Sequence, residues 1–415
     1  MEQAIRISKN KGGNGALRGF KVIDLSRVLA GPVCTQILGD HGADVIKIEP
    51  PSGDETRSWA PFGPEGSSAY YSGINRNKMH AAADLSNSEG RDLLLRLLEG
   101  ADVLVHNFKA RTLERWGLGY EDVLSKRFPR LIYCHITGFG EDGPLGGLPG
   151  YDSVVQAIAG CMSVNGRGEA GPTRVGMSIV DLGTAMNALA AILLAAYERE
   201  RSGLGQKLDI CLYDCALSYL HPHAAGYLQA GVEPARTGNQ HPSIAPYEEF
   251  QTKSGPMFLG VGNDGQFAAV CRELGCAVFL DDPRFATNAL RVKNRAALHD
   301  LLQAHLADQN AESLSARLLG KGIPASAILD VRAALAAPHT AHRSMIVEEG
   351  AYKALGIPIK LSRTPGTVRS MPRALGVDTR EVCRQAGFDQ SQIDEMIARG
   401  IVFEPRKSGS TPSRG

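Results

Sequence analysis

From residue 17 onward the chain switches between two hydrophobic periods. Apolar runs of strand length occupy residues 21–24, 44–48, 102–105 and 130–136, and the segments at 32–38, 88–99 and 120–127 carry helical spacing. Gly39 predicts the end of the first of those helices. Strands separated by helices of this length predict a parallel, doubly wound sheet. The expected fold class is therefore α/β, with a Rossmann-like large domain. Residues 151–200 hold two long, alanine-rich apolar segments that predict helices, and residues 207–211 read as a further strand.

The pattern changes at a loop-rich run, residues 232–246, after which a new strand at 256–260 opens a smaller α/β unit. A length of 415 residues exceeds what one core supports, so two domains are expected. The boundaries read as a disordered leader at 1–16, a large domain at 17–225 and a small domain at 226–345. A C-terminal segment at 346–404 returns to the large domain, with extended chain and turns over 344–370 and a helix near 390–398. A low-complexity, disordered tail follows at 405–415.

Charge narrows the function. Lys+Arg 45 against Asp+Glu 44 leaves a net +1, without the excess of basic residues that phosphate backbones or membrane surfaces require, so neither nucleic acid nor membrane is an expected partner. The start lacks an apolar signal region, and the longest apolar stretch, 188–197, is about half the ~20 residues that span a bilayer. The eight cysteines form no C-x-x-C pair, which predicts buried free thiols in a reducing, cytoplasmic setting, without disulfides or a metal site.

Most familiar chemical motifs fail on context. Gly260-Val-Gly262-Asn-Asp-Gly265 imitates a dinucleotide fingerprint, but it opens the second unit, and the strand expected before its acidic partner is short and runs into Pro283. His221 and His223 flank Pro222 without a cluster of further ligands and read as structural or surface residues. No G-x-S-x-G elbow, G-K-[ST] loop or H-E-x-x-H pair occurs. Asp181, between Val180 and an apolar helix, has two readings: a helix cap accepting backbone N–H groups, or an exposed ionised nucleophile among small residues.

Several segments together resemble the class III CoA-transferase family, of the CaiB/BaiF type, from residue 17 to about residue 400. The resemblance is carried by Leu17-Arg-Gly-Phe-Lys-Val-Ile-Asp-Leu-Ser26, Ala30-Gly-Pro32, Gly42-Ala-Asp-Val-Ile-Lys-Ile-Glu49, Asn75-Arg-Asn-Lys78, Asp102-Val-Leu-Val-His-Asn-Phe108, Gly150-Tyr-Asp152, Gly203-Leu-Gly-Gln206 and Gly238-Asn-Gln-His-Pro242. It implies an enzyme that moves CoA from an acyl-CoA to a free carboxylic acid, with Asp181 as covalent nucleophile passing through mixed-anhydride and aspartyl-CoA thioester states. It also implies an interlocked homodimer, with CoA as substrate and no permanently bound cofactor. The CoA site it implies comprises Val28, Ala30, Lys78, Leu85, Asn107, Phe108, Arg115, Tyr151 and Asp152. Lys78 and Arg115 would meet phosphates, and Asn107 and Phe108 the adenine. Leu29, Arg57, Asn239 and His241 are substrate-side candidates, Arg57 for either a phosphate or a substrate carboxylate.

Within that family the racemases resemble a Gly-His-Asp motif where this chain has Gly150-Tyr151-Asp152. A tyrosine of ordinary pKa near ~10 is a poor base for an α-proton, which favours transfer over racemisation. Leu29 stands where oxalate-specific relatives have glutamine, and Pro50 where some relatives have arginine. The segment from Gly238 to Tyr247 is similar to that of dicarboxylate transferases that use succinyl-CoA. An α-methylacyl-CoA racemase or epimerase, and a non-catalytic CoA-binding protein, are the alternatives.

Overall fold

The computed structural model describes residues 15–63 and 66–405. Residues 1–14 of the expected leader and 406–415 of the expected tail lie outside the described residues. The chain divides into two units. The first comprises residues up to Ala159, Gly176–Leu220 and from Pro338 on; the second comprises Gly160–Val175 and His221–Ala337.

The first unit is built on a seven-stranded sheet. Strands β1 (Lys21–Asp24), β2 (Asp44–Glu49), β3 (Lys78–Ala83), β4 (Val103–His106), β5 (Ile132–Thr137) and β6 (Lys207–Cys211) run parallel in the order β3-β2-β1-β4-β5-β6. A short strand, Val402–Phe403, adds antiparallel to the edge of β3. Central β4 is buried at every position, the signature of a parallel sheet covered on both faces. Helix Ala30–Asp40 includes Gly39 rather than stopping there. Gly39 instead permits close packing, because a Cβ at that position would lie 3.2 Å from Asn77.

Residues 151–200 form a short helix, Asp152–Ile158, and a long one, Ile179–Ser202, with residues 160–175 falling in the second unit. The long helix buries Val180, Thr184, Ala188, Ile192, Ala195 and Arg199, a stripe at helical period, and packs on helix Ala30–Asp40. Full burial of Ile192 alone contributes about 1.5–3 kcal/mol. At its end Arg199 pairs with Asp102 at 2.7 Å, and Gly203, at φ 76, closes the last turn. At 24 residues, with a mean hydropathy of 1.8 over its most apolar 18-residue window, this helix is long and apolar enough to cross a bilayer, unlike the shorter span its apolar run suggests.

The second unit contains a three-stranded antiparallel sheet (Tyr247–Thr252, Gly255–Gly260, Ala325–Ala327) around a core that includes Phe250, Met257, Phe267, Leu302 and Leu314. The glycine run therefore leaves an antiparallel strand. Its polar groups are satisfied locally, with the Gly262 N–H donating to Gln266 Oε1 and Asn263 capping the next helix through the Gln266 N–H. None of the eight cysteines is in a disulfide, and seven are buried.

Candidate active site

Open α/β sheets with this strand order bind ligands outside the carboxyl ends of the strands where the order reverses, here between β1 and β4. Residues 26–30 follow β1 and residues 107–109 follow β4. Both segments line a groove of about 200 Å³ that also receives Gly138, Gly150, Tyr151 and Asp181. Val28, Leu29, Ala30, Asn107, Phe108, Tyr151 and Asp181 are thus brought together as the sequence suggested.

Asp181 sits in the first turn of helix Ile179–Ser202. It does not cap that helix. The cap comes from Asp152, whose Oδ2 accepts the N–H groups of Val180 at 2.9 Å and Asp181 at 3.2 Å while its Oδ1 accepts from Gln156. The Asp181 carboxylate lines the groove and accepts no hydrogen bond from the described residues. Burial, and then the charge of Asp152, push its pKa up to about 7. Tyr70, which stacks edge-on against Trp59 at 5.1 Å, is pushed up to about 12 by burial and then by the charges of Asp181 and Asp152. Its phenol stays protonated at neutral pH. No pattern in the sequence around residue 70 marks it.

The adenine-side candidates are held from behind. Phe108 lines the groove with its ring edge-on to Trp116 at 5.6 Å, and its carbonyl accepts from His135 Nε2 at 2.9 Å. Asn107 differs from expectation: its Oδ1 accepts the Arg27 N–H at 2.9 Å and its Nδ2 donates to the Arg27 carbonyl at 2.7 Å. Both ends of the amide are engaged by the turn after β1, so an adenine hydrogen bond from this side chain would require breaking that clasp.

Five other candidates of the first unit lie away from the groove; one is Asp152, whose carboxylate is committed to Gln156 and the start of the long helix. Lys78 is fully buried, its three N–H bonds directed to Asp24 Oδ2, the Pro32 carbonyl and Asn75 Oδ1, and burial lowers its pKa to about 8. It cannot meet a phosphate. Leu85 belongs to the apolar core beneath the sheet, and exposed Arg115 contacts Thr112. Arg57 is locked to Glu49 by two bonds of 2.7 Å, with its guanidinium over the Tyr71 ring. The cations that do line the groove are Arg27 and Lys109. Each directly adjoins a segment that carries the resemblance, which was the only available signal. Asn239 and His241 lie in the second unit, Asn239 lining a polar cavity of about 510 Å³ and donating to Glu249 at 2.6 Å. Among the described residues no group of three His, Cys, Asp or Glu is placed to hold a metal.

Residues 17–379 match the model of CoA-transferase family III. The chain is 40% identical over 361 residues to a succinate–glutarate CoA-transferase of Agrobacterium fabrum, covering 84% of this chain and 90% of that one. It is 35% identical over 393 residues to a mouse succinyl-CoA:glutarate CoA-transferase, covering 93% and 90%. A crystal structure of a CaiB/BaiF family protein from Brucella suis superposes with a TM-score of 0.82 at 39% identity, covering 90% of this chain and all of that one.

Proposed function

The chain belongs to CoA-transferase family III, and from that premise we propose that it carries CoA from succinyl-CoA to a dicarboxylic acid, with Asp181 as the covalent carrier. One observation carries the proposal: a carboxylate that accepts no hydrogen bond among the described residues lines the groove at the sheet's switch point. The names of the glutarate transferases support the choice of donor and acceptor.

In this reaction a carboxylate oxygen of Asp181 attacks the thioester carbonyl, the C–S bond breaks, and CoA leaves as the thiolate. The thiolate attacks the Asp181 carbonyl carbon of the mixed anhydride, which releases the donor acid and leaves an aspartyl-CoA thioester. The acceptor carboxylate displaces the thiolate from that thioester. The thiolate then attacks the acceptor's carbonyl, forming the new acyl-CoA and freeing the Asp181 carboxylate. Each step exchanges one activated acyl group for another, so no nucleotide is consumed. Hydrolysis is the competing loss, so the reaction requires water to be kept from the two activated aspartyl states.

Arg27 and Lys109 are the cations assigned to the coenzyme's phosphates, and Phe108 its stacking partner. Tyr151, 58% exposed and lining the groove, contacts the thioester end. Arg57, held by Glu49 outside the groove, is assigned no substrate role. A homodimer is supported by the outer face of helix Ile179–Ser202, where Met186, Leu193, Leu194 and Tyr197 are 40–70% exposed. A second copy of the chain would cover such a patch, and a soluble, cytoplasmic enzyme needs it covered.

The test is to mix the protein with succinyl-CoA, quench in acid, and search the peptide holding Asp181 by mass spectrometry for added CoA or, after hydroxylamine, a hydroxamate. An unmodified Asp181 in a preparation that turns over would overturn the mechanism. Incorporation of solvent deuterium α to the thioester with no change of acid would mark racemisation instead.

A further inference from the structure

We propose that Asp54, working with Lys47, is a positioning residue for the coenzyme, holding the turn at residues 26–28 in its ligand-ready shape before any ligand arrives. The inference rests on the reading of the β1–β4 groove as the CoA site.

Three consecutive residues of this turn are gripped by side chains from other elements. The Ser26 carbonyl accepts from Lys47 Nζ at 2.6 Å. The Arg27 N–H and carbonyl are clasped by Asn107. The Val28 N–H points to the Asp54 carboxylate at 3.3 Å, a long bond strengthened by the charge of its acceptor. The grip has something to oppose. Val28 has φ 70, a conformation that a β-branched residue resists and that persists only when its surroundings over-determine it. Val28, Leu29 and Ala30 all line the groove, so relaxing the Val28 backbone would redraw the groove's wall.

Asp54 and Lys47 touch no ligand themselves. Their side chains are wholly buried, 3.3 Å apart, and Asp54 also accepts from the Thr56 N–H and hydroxyl while its own N–H donates to Glu49. Lys47 faces Asp24 across β1 in register. Asp24 in turn pairs with Lys78. The Lys47–Asp54 pair is a poor means of stabilising a fold, because well-packed apolar residues do as well or better. Its geometry is better explained by what it holds, which is a backbone in an unfavourable state at the ligand's edge.

The proposal separates from the CoA reading by experiment. In wild type, CoA binding is measured by calorimetry, and absence of binding would strike the reading itself. With binding present, folded Asp54→Ala is expected to weaken CoA about tenfold, because the Val28 N–H loses its acceptor, while kcat at saturating substrate stays within about twofold. The double variant Val28→Gly/Asp54→Ala should recover most of that loss, since glycine takes φ 70 without strain. Unchanged CoA affinity in Asp54→Ala, or a loss that Val28→Gly does not relieve, would overturn the proposal. If Asp54→Ala does not fold, hydrogen exchange of the wild-type peptide spanning residues 25–31 decides the matter. Slow exchange in the free protein, little changed by CoA, is expected. Rapid exchange that slows only on adding CoA would show that the ligand, not Asp54, shapes the turn.

Discussion

Asp152 grips the backbone of Asp181 and repels its side chain. The same Oδ2 that accepts the Asp181 N–H at 3.2 Å places a buried negative charge beside the Asp181 carboxylate. One neighbour therefore fixes the position of the proposed nucleophile and, after burial, adds to its basicity.

This coupling predicts the pH profile. Asp181 must be ionised to attack, and its pKa stands at about 7. With saturating acceptor, kcat/KM for the acyl-CoA should rise with pH and level off above that point. Asp152→Asn removes the like charge, so its inflection should move to lower pH. An inflection that stays in place would separate Asp152 from the effect.

Stability should respond in the opposite direction. The fold holds the Asp181 proton up to about pH 7, whereas an unfolded chain releases it near 3.8. The contribution is thus complete below about pH 4, falls as pH rises towards 7, and is absent above it. Asp181→Asn, which cannot ionise, should be more stable than wild type at pH 8 and equal to it near pH 4. Urea denaturation at the two pH values checks this.

Asp152→Ala removes the acceptor for two helix N–H groups. A loss of about 1–2 kcal/mol is expected from the missing cap. Activity should fall further than stability, because Asp181 also loses the bond that orients its backbone. Parallel melting curves and steady-state rates would show the split.

Lys78 and the groove cations should separate cleanly. Lys78→Met strands the buried Asp24 charge and should cost about 3–5 kcal/mol, with CoA affinity of the folded fraction retained. Arg27→Ala and Lys109→Ala should leave melting within about 0.5 kcal/mol of wild type while raising KM for acyl-CoA several-fold. An unchanged KM in both would remove these two residues from phosphate binding.

Leu194→Glu places a charge at a site that is 70% exposed on the long helix. Sedimentation should show monomer in place of dimer. A dimer that survives would place the interface elsewhere.

Periodicity and local motifs made much of the molecule legible. The alternation of strand and helix predicts the parallel sheet, because apolar period depends only on neighbours along the chain. The segments after β1 and β4, together with Asp181, were marked by the family resemblance of their motifs, since apolar period alone left Asp181 open between cap and nucleophile. Burial was not legible. Lys78 and Arg115 look alike as isolated cations, yet one lies under β1 beside Asp24 and the other in solvent, a distinction made by strand register and not by composition. Asp152 and Asp181 are 29 positions apart, and only the packing of one helix start against another turned the first into the cap and electrostatic neighbour of the second. Charge energies depend on distance and on exclusion of water, and tertiary contacts alone set both.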